Sequence, residues 1–275
     1  MITQTPTETR EQVREHYGQV ARTDGGCGCG PGCCGSGATA STDLGYDAAD
    51  LAGLPKGADM GLGCGTPLAF AGLREGEVVL DLGSGGGIDS FLAAKQVGPN
   101  GRVIGVDMTP DMLAKARANA HRVAASNVEF KLGEIESLPV ADRSVDVVVS
   151  NCVINLSPDK TAVFREALRV LRPGGRLAIS DIVASAPLPK HIINDPAALS
   201  GCIAGAPVVD ELRAHLEAAG FAGIHIEINE ASRSFIKNWS PESGAEHFVA
   251  AAAIRAVRPA GEGCCGTAPK ASSCC

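Results

Sequence analysis

From Val78 onward, runs of mostly apolar residues alternate with longer stretches in which apolar positions recur every three or four residues. The runs Val78–Leu82, Arg102–Asp107, Val128–Leu132, Val145–Ser150 and Arg176–Val183 read as strands, and the stretches between them supply helices. Ile88–Val97 is one such helix. Thr109, a capping residue followed by Pro110 at the first helical position, starts another that runs to about Ala125. A third is expected to start at Ser157 and Pro158, with Val163, Phe164, Ala167, Leu168 and Leu171 toward a core. Arg172-Pro173-Gly174-Gly175 then turns into the next strand. Strand and helix in alternation at this spacing predict an α/β, Rossmann-like, doubly wound sheet, mostly parallel, with helices on both faces.

The flanks depart from this rhythm. Thr9–Arg22 reads as a short helix with Val13, Tyr17 and Val20 on one face. Residues 25–37 form a Gly- and Cys-rich loop with Cys27, Cys29, Cys33 and Cys34. After Ala184, Pro187, Pro189 and Pro196 mark an irregular segment, and Val208–Ala219 is a helix ended by Gly220. Ile224–Ile228 and Glu246–Val257 read as strands that either finish the sheet or form an added lobe, a smaller C-terminal α+β region. The tail from Pro259 to Cys275 is expected to be disordered.

Composition narrows the function. A chain of 275 residues, 45% hydrophobic and 20% charged, can bury a full core and reads as soluble. A net charge of −7 without a basic run argues against nucleic acid or a membrane surface as the main partner. No apolar stretch reaches the roughly 18 residues of a membrane span, and the polar N-terminus lacks a signal-peptide core, so the expected location is the cytoplasm. Eleven cysteines in so large a chain, under reducing conditions, point to thiol chemistry or soft-metal binding rather than a disulfide scaffold.

The run Asp81-Leu82-Gly83-Ser84-Gly85-Gly86-Gly87 follows a strand and opens a helix. Gly83, Gly85 and Gly87 let backbone pass close to a ligand. A carboxylate at Asp81 would repel a phosphate but accepts a hydrogen bond from an ammonium. Asp107, at the end of the next strand, suits two ribose hydroxyls. An adenosine that carries an amino acid satisfies both: S-adenosylmethionine. A glycine turn alone could be a tight turn and nothing more, but Asp81, Asp107 and Gly133-Glu134-Ile135-Glu136 after the third strand act together.

Cys152 ends the fourth strand run, where such a fold faces the reactive group of its cofactor. With Cys64 between Gly63 and Gly65, and Cys202 after Gly201, it suggests a soft, thiophilic acceptor atom. Asn151-Cys152-Val153 carries neither carboxylate nor imidazole, whereas methylation at nitrogen or oxygen usually calls for a base. A soft acceptor atom that brings its own lone pair needs no base and prefers thiolates. The protein's task would then be to hold that lone pair in line with the sulfonium methyl.

These motifs resemble the class I methyltransferases, and in particular the arsenite S-adenosylmethionine methyltransferase family. Gly45-Tyr46-Asp47, Leu62-Gly63-Cys64-Gly65, Leu80 to Gly87, Asp107-Met108-Thr109-Pro110, Gly133 to Glu136, Ser150 to Leu156 and Ser200 to Ala206 carry the resemblance. It implies that the cofactor lies on Asp81, Gly83, Ser84, Gly85 and Gly87. Asp107 and Met108 would reach ribose and adenine, Glu134 and Ile135 the adenine edge, and Asn151 joins the cofactor set. Cys64, Cys152 and Cys202 match arsenic-binding cysteines, and Cys33 or Cys34 a further N-terminal one. Arsenite or its thiol conjugates would be the substrate. Methylation formally oxidises the arsenic, so Cys33 or Cys34 with Cys64 would return two electrons as a disulfide, with thioredoxin or glutathione as reductant. The expected division is 1–60, helix and Cys/Gly loop; 61–185, S-adenosylmethionine-binding domain; 186–258, arsenic-binding and C-terminal region; 259–275, Cys-rich tail.

Plainer readings stand beside these. Free cysteines often only pack. The Cys27–Cys34 cluster could hold zinc, although its spacing fits no common pattern. Cys264-Cys265 and Cys274-Cys275 could capture arsenite or be dispensable, and Tyr17 could close over the cofactor or merely pack. Two other functions remain open: methylation of carbon or nitrogen in a small metabolite, and non-enzymatic sequestration of arsenite.

Overall fold

The computed structural model describes residues 5–23, 41–195, 198, 201–239 and 243–261. Cys27, Cys29, Cys33, Cys34 and the C-terminal cysteine pairs lie outside the described residues, so the zinc, relay and capture readings and the disorder expected of the tail from 262 onward are not addressed by it.

Strands β1 (Val78–Leu82), β2 (Arg102–Asp107), β3 (Val128–Leu132), β4 (Val145–Asn151), β5 (Leu171–Ala184), β6 (Ala222–Asn229) and β7 (Val249–Val257) form one sheet in the order β3-β2-β1-β4-β5-β7-β6. The pairings from β3 to β5 are parallel. β7 runs antiparallel to both β5 and β6. The two C-terminal strands therefore finish the main sheet and do not make a separate lobe. Longer helices α1 (Pro6–Arg22), α4 (Ile88–Val97), α5 (Pro110–Arg122), α6 (Lys160–Val170) and α8 (Val209–Ala219) connect or cover the strands. Short ones, α2 (Ala48–Ala52), α3 (Leu68–Ala71), α7 (Lys190–Ile193) and α9 (Arg233–Trp239), lie between them.

Residue alternation along the central strands builds two cores. Val79, Val147 and Val149 pack with Leu92, Ala93 and Val97 of α4 on one face. Leu80, Leu82 and Val148 pack with Val163, Phe164 and Ala167 of α6 and Leu212 and Leu216 of α8 on the other. A strand buried on both faces must be apolar at nearly every position, which is why β1 and β4 read as continuous runs. Among the described residues, no helix is long and apolar enough to cross a membrane.

Several boundaries differ from the expected ones, each for a local reason. α1 starts at Pro6, because Thr5 and Glu8 form a reciprocal capping box. α6 starts at Lys160, because Asp159 accepts the Ala162 N–H at 2.9 Å, and a 3-10 turn at Ile154–Leu156 takes up the chain before it. Thr109 precedes α5 without a side-chain cap; its own N–H is taken by Asp107 Oδ1 at 2.8 Å. In β5, pairing with β4 slips between Leu171 and Arg176, so the Arg-Pro-Gly-Gly segment bulges within a strand that begins earlier than expected. Ala245–His247 is a 3-10 turn, and β7 starts at Val249 rather than Glu246.

Candidate functional site

The strand order reverses between β1 and β4, and the crevice outside their carboxyl ends is where this architecture binds ligands. β1 delivers the glycine turn there, β2 delivers Asp107, and β4 delivers Asn151 and Cys152. In the turn, Gly83 and Ser84 donate to Val106 O at 2.8 and 3.1 Å, and Gly85 N–H donates to Asp107 Oδ2 at 3.0 Å. Gly83 and Gly85 have φ of +67° and +50°. A Cβ at Gly83 would come within 2.4 Å of Val153 Cγ2, but one at Gly85 would meet nothing within 4 Å. The turn is thus wedged against the β4 end on one side and bare on the other.

Three carboxylates line this crevice. Asp107 uses its oxygens on Gly85 and Thr109 N–H groups, and a carboxylate with about four acceptor sites keeps capacity for two hydroxyls. Asp81 is buried and accepts from Ser90 Oγ at 2.6 Å. Asp89, in the first turn of α4, is buried beside it and accepts from Tyr46 Oη at 2.9 Å and Asn151 Nδ2 at 3.2 Å. Burial, with the charge of Asp89 adding, pushes Asp81 well above the usual carboxylate range. Burial lifts Asp89 to about 6 against the Tyr46 and Asn151 hydrogen bonds, and lifts Asp107 against its backbone donors. No lysine or arginine pairs with these three among the described residues. Ser84 Oγ is buried with no hydrogen-bond partner among them. A crevice of buried acids with bare glycine backbone and an unanswered hydroxyl fits a ligand that carries ammonium, sulfonium and hydroxyl groups, as S-adenosylmethionine does.

The thiols meet next to it. Cys64 and Cys202 are buried, Cys152 is half-buried, and all three are free. The Cys152 thiol lies beside those of Cys202 and Cys64; these neighbours, with burial, raise it well above the ordinary thiol value. Cys202 is drawn down by the Cys152 contact, but burial and the neighbouring Asp181 and Cys64 outweigh it and leave it raised. Cys152 and Cys202 have φ of +56° and +61°, a left-handed conformation that disfavours a side chain by about 1–2 kcal/mol. Strain of this kind collects at functional sites.

One segment organises all three. Cys152 belongs to it, and the asparagines on either side hold the other two. Asn151 Oδ1 accepts Cys64 N–H at 3.1 Å, and its Nδ2 lies 2.9 Å from Gly65 O. Asn155 Nδ2 donates to Cys202 O at 3.0 Å and Ile182 O at 2.7 Å. Glycines permit the close approach: a Cβ at Gly65 would lie 2.2 Å from Ser180 Oγ, and one at Gly205 would lie 2.1 Å from Asn155 O.

The remaining expected site residues divide. Ile135 is buried in the main core, and Met108 packs in the cluster that holds the three cysteines. Asn151, expected among the cofactor contacts, gives its amide to Cys64, Gly65, Tyr46 and Asp89. Glu134, expected at the adenine edge, pairs with Arg14 at 3.3 Å and Arg10 at 3.5 Å, and Glu136 pairs with Arg10 at 3.2 Å. These pairs fasten α1 across the crevice. Tyr17 of α1 packs against the cluster that holds the three cysteines, and burial, then the charges of Cys202, Cys152, Asp107 and Asp181, push its hydroxyl well above its ordinary value.

Sequence reasoning gave no site role to Tyr46, Asp89, Asn155 or Asp181, although Tyr46 and Asn155 lie in motifs that carry the resemblance. The strand-end motif does lack an acid, but the fold brings one from β5: an Asp181 oxygen and the Cys64 and Cys152 sulfurs all lie within 4.8 Å of one another.

A family profile described as "Methyltransferase domain" matches residues 73–220. An arsenite methyltransferase of Halobacterium salinarum is 52% identical over 266 residues, 93% of this chain and 68% of that protein. One from Aquipseudomonas alcaligenes is 49% identical over 151 residues, 52% of this chain and 43% of its own length. The crystal structure of an arsenic(III) S-adenosylmethionine methyltransferase from Chlamydomonas reinhardtii superposes with a TM-score of 0.62 at 37% identity, covering 77% of this chain and 72% of that one.

Proposed function

The chain belongs to the arsenite methyltransferase family, and from that premise we propose that it transfers methyl groups from S-adenosylmethionine to trivalent arsenic held by Cys64, Cys152 and Cys202. The observation that carries this reading is the meeting of three free thiols, far apart in sequence, beside the glycine turn. Arsenite is a neutral hydroxide, As(OH)₃. Each As–OH condenses with one S–H, so three thiols displace three waters with no net release of protons. Cys152, whose ionisation its thiol neighbours and burial suppress, and Cys202, in which burial and nearby charge outweigh the Cys152 contact, are therefore suitable as neutral thiol reactants.

Arsenic on three sulfurs is pyramidal and keeps its lone pair at the open apex. The nucleophile has no proton to lose, so general-base catalysis is not required. Bound S-adenosylmethionine supplies a methyl group on a positively charged sulfur. Asp81, Asp89 and Asp107 balance that ligand's charge and hydroxyls, Asn151 and Asn155 fix the thiols, and Tyr17 on α1 keeps water from the space between them. Transfer leaves S-adenosylhomocysteine and takes arsenic from the trivalent to the pentavalent state. Two thiols then return two electrons and close as a disulfide, which a thioredoxin- or glutathione-type reductant of a reducing cytoplasm reopens. Cys33 or Cys34 with Cys64 is the pair we assign; repeated turnover by a Cys33→Ser, Cys34→Ser variant would remove the loop from this scheme.

The decisive experiment supplies arsenite, a thiol and methyl-labelled S-adenosylmethionine, and separates the arsenic species by chromatography. Label is expected on arsenic, and is expected to vanish in Cys152→Ser. Labelled S-adenosylmethionine consumed with no label on arsenic would overturn the reading.

A further inference from the structure

Asp181 has no place in the mechanism above, yet it lies among the thiols. Its side chain is 3% exposed. Oδ2 accepts from Ile154 N–H at 2.9 Å, Oδ1 from Ile182 N–H at 2.8 Å, and the Asn155 N–H supplies a third backbone donor. Three donors occupy three of the roughly four acceptor positions of a carboxylate, leaving one. An oxygen of this group, Cys64 Sγ and Cys152 Sγ lie within 4.8 Å of one another. Cys202 Sγ is not in that triplet; it is directed at the Cys152 carbonyl oxygen, 2.6 Å away. The ready-made three-donor site in this conformation is thus two sulfurs and one oxygen.

We propose that Asp181 is part of the arsenic site and holds a hydroxyl still carried by arsenic bound to Cys64 and Cys152, until Cys202 replaces that hydroxyl. The inference rests on the thiol-site reading above. Cys64 and Cys152 displace two hydroxyls as water, and arsenic retains one. That hydroxyl donates a hydrogen bond to the Asp181 carboxylate. In the last exchange, the As–O bond breaks, an As–S bond to Cys202 forms, and the Cys202 thiol proton leaves on the departing water. Arsenic stays trivalent throughout, and no oxidant or reductant is consumed. Cys202 need only release its bond to the Cys152 carbonyl to take part. A purely structural Asp181 would need its backbone donors but not its place within reach of both sulfurs.

The test separates arsenicals by the hydroxyls they retain. Phenylarsonous acid, PhAs(OH)₂, has none left after it binds two thiols, whereas arsenite has one. In a Cys202→Ala background, X-ray absorption of the arsenite complex should show two As–S contacts and one As–O contact. Adding Asp181→Asn or Asp181→Ala should weaken arsenite binding by about tenfold or more, the scale of a hydrogen bond to a charged group, and leave phenylarsonous acid within about twofold. Retained phenylarsonous acid binding certifies that the fold and the two thiols are intact. Equal loss of both ligands in both variants, or loss of neither, overturns the proposal. Failure of the unmodified protein to bind either arsenical would instead overturn the thiol site itself.

Discussion

At the scale of single residues, the polar side chains around the thiols carry as much of the site as the thiols do. Asn155 is buried and donates to the carbonyls of two buried residues, Ile182 and Cys202. Asn155→Ala leaves both unmatched, so urea unfolding should show a loss of about 1–3 kcal/mol. Arsenite affinity should fall more than S-adenosylmethionine affinity, because the side chain touches the Cys202 loop and not the glycine turn; equal losses would mean that it serves the fold alone. Asp89 makes a different prediction. Its pKa is lifted from 3.8 to about 6 by burial. A group shifted upward adds stability below its unfolded value and loses that contribution as pH rises through its folded value, so the free protein at neutral pH holds an uncompensated carboxylate. A cationic ligand relieves it and favours the ionised form. S-adenosylmethionine affinity should therefore fall as pH drops and Asp81 and Asp89 take up protons, with proton release on binding, and Asp89→Asn should weaken binding at pH near 7.5 and reduce that release. Calorimetry in two buffers of different ionisation enthalpy measures both; unaltered affinity and release in the variant would refute the role given to Asp89. Neither role was legible in the chain: Asn155 lies in the Ser150 to Leu156 motif without a partner that the sequence could name, and Asp89 lies in a helix whose first turn suits any acid.

At the scale of elements, what could be read depended on burial and length. β1 and β4 were legible because each is enclosed by helices on both faces. The helices of four to seven residues, α2, α3, α7 and α9, were not, since one or two turns are too short for a periodic stripe to develop. The cysteines showed themselves through glycine neighbours and a strand end. Asp181 did not, since it sits mid-strand in a long apolar run and is brought to the site only by the pairing of β5 with β4. The glycines that flank the thiols record how closely these elements meet. At Gly205 an added Cβ would fall 2.1 Å from the Asn155 carbonyl oxygen, a backbone atom fixed by its neighbours. Gly205→Ala must therefore displace the Cys202 loop, at a cost of about 1–3 kcal/mol. Arsenic absorption spectra should then report two sulfurs instead of three, while the glycine turn still binds S-adenosylmethionine. Full three-sulfur coordination in this variant would show that the loop has slack the close approach denies it.

At the scale of the whole molecule, α1 joins two half-sites that the sheet alone would leave open. Its hold on the body is of two kinds. Val13 and Val20 are buried beneath it, and Arg10 and Arg14 bridge to Glu134 and Glu136 at the end of β3, with Arg22 paired to Asp111 at its far end. These ion pairs are partly exposed, and such pairs contribute about 0–1 kcal/mol each, so removing them should barely change global stability. Their position gives them a larger effect on access. Tyr17 keeps its packing against the thiol cluster only while α1 lies flat across the crevice. An Arg10→Ala, Arg14→Ala variant should thus unfold within about 1 kcal/mol of the parent but exchange the amide hydrogens of residues 9–22 faster, and the protection that S-adenosylmethionine and arsenite confer on that helix should shrink. High salt should loosen the parent's helix toward the variant's behaviour and leave the variant unchanged, because screening acts on the same pairs. If the helix exchanges equally slowly without its arginines, then the apolar face of α1 closes the site by itself, and the ion pairs to Glu134 and Glu136 are only a surface feature.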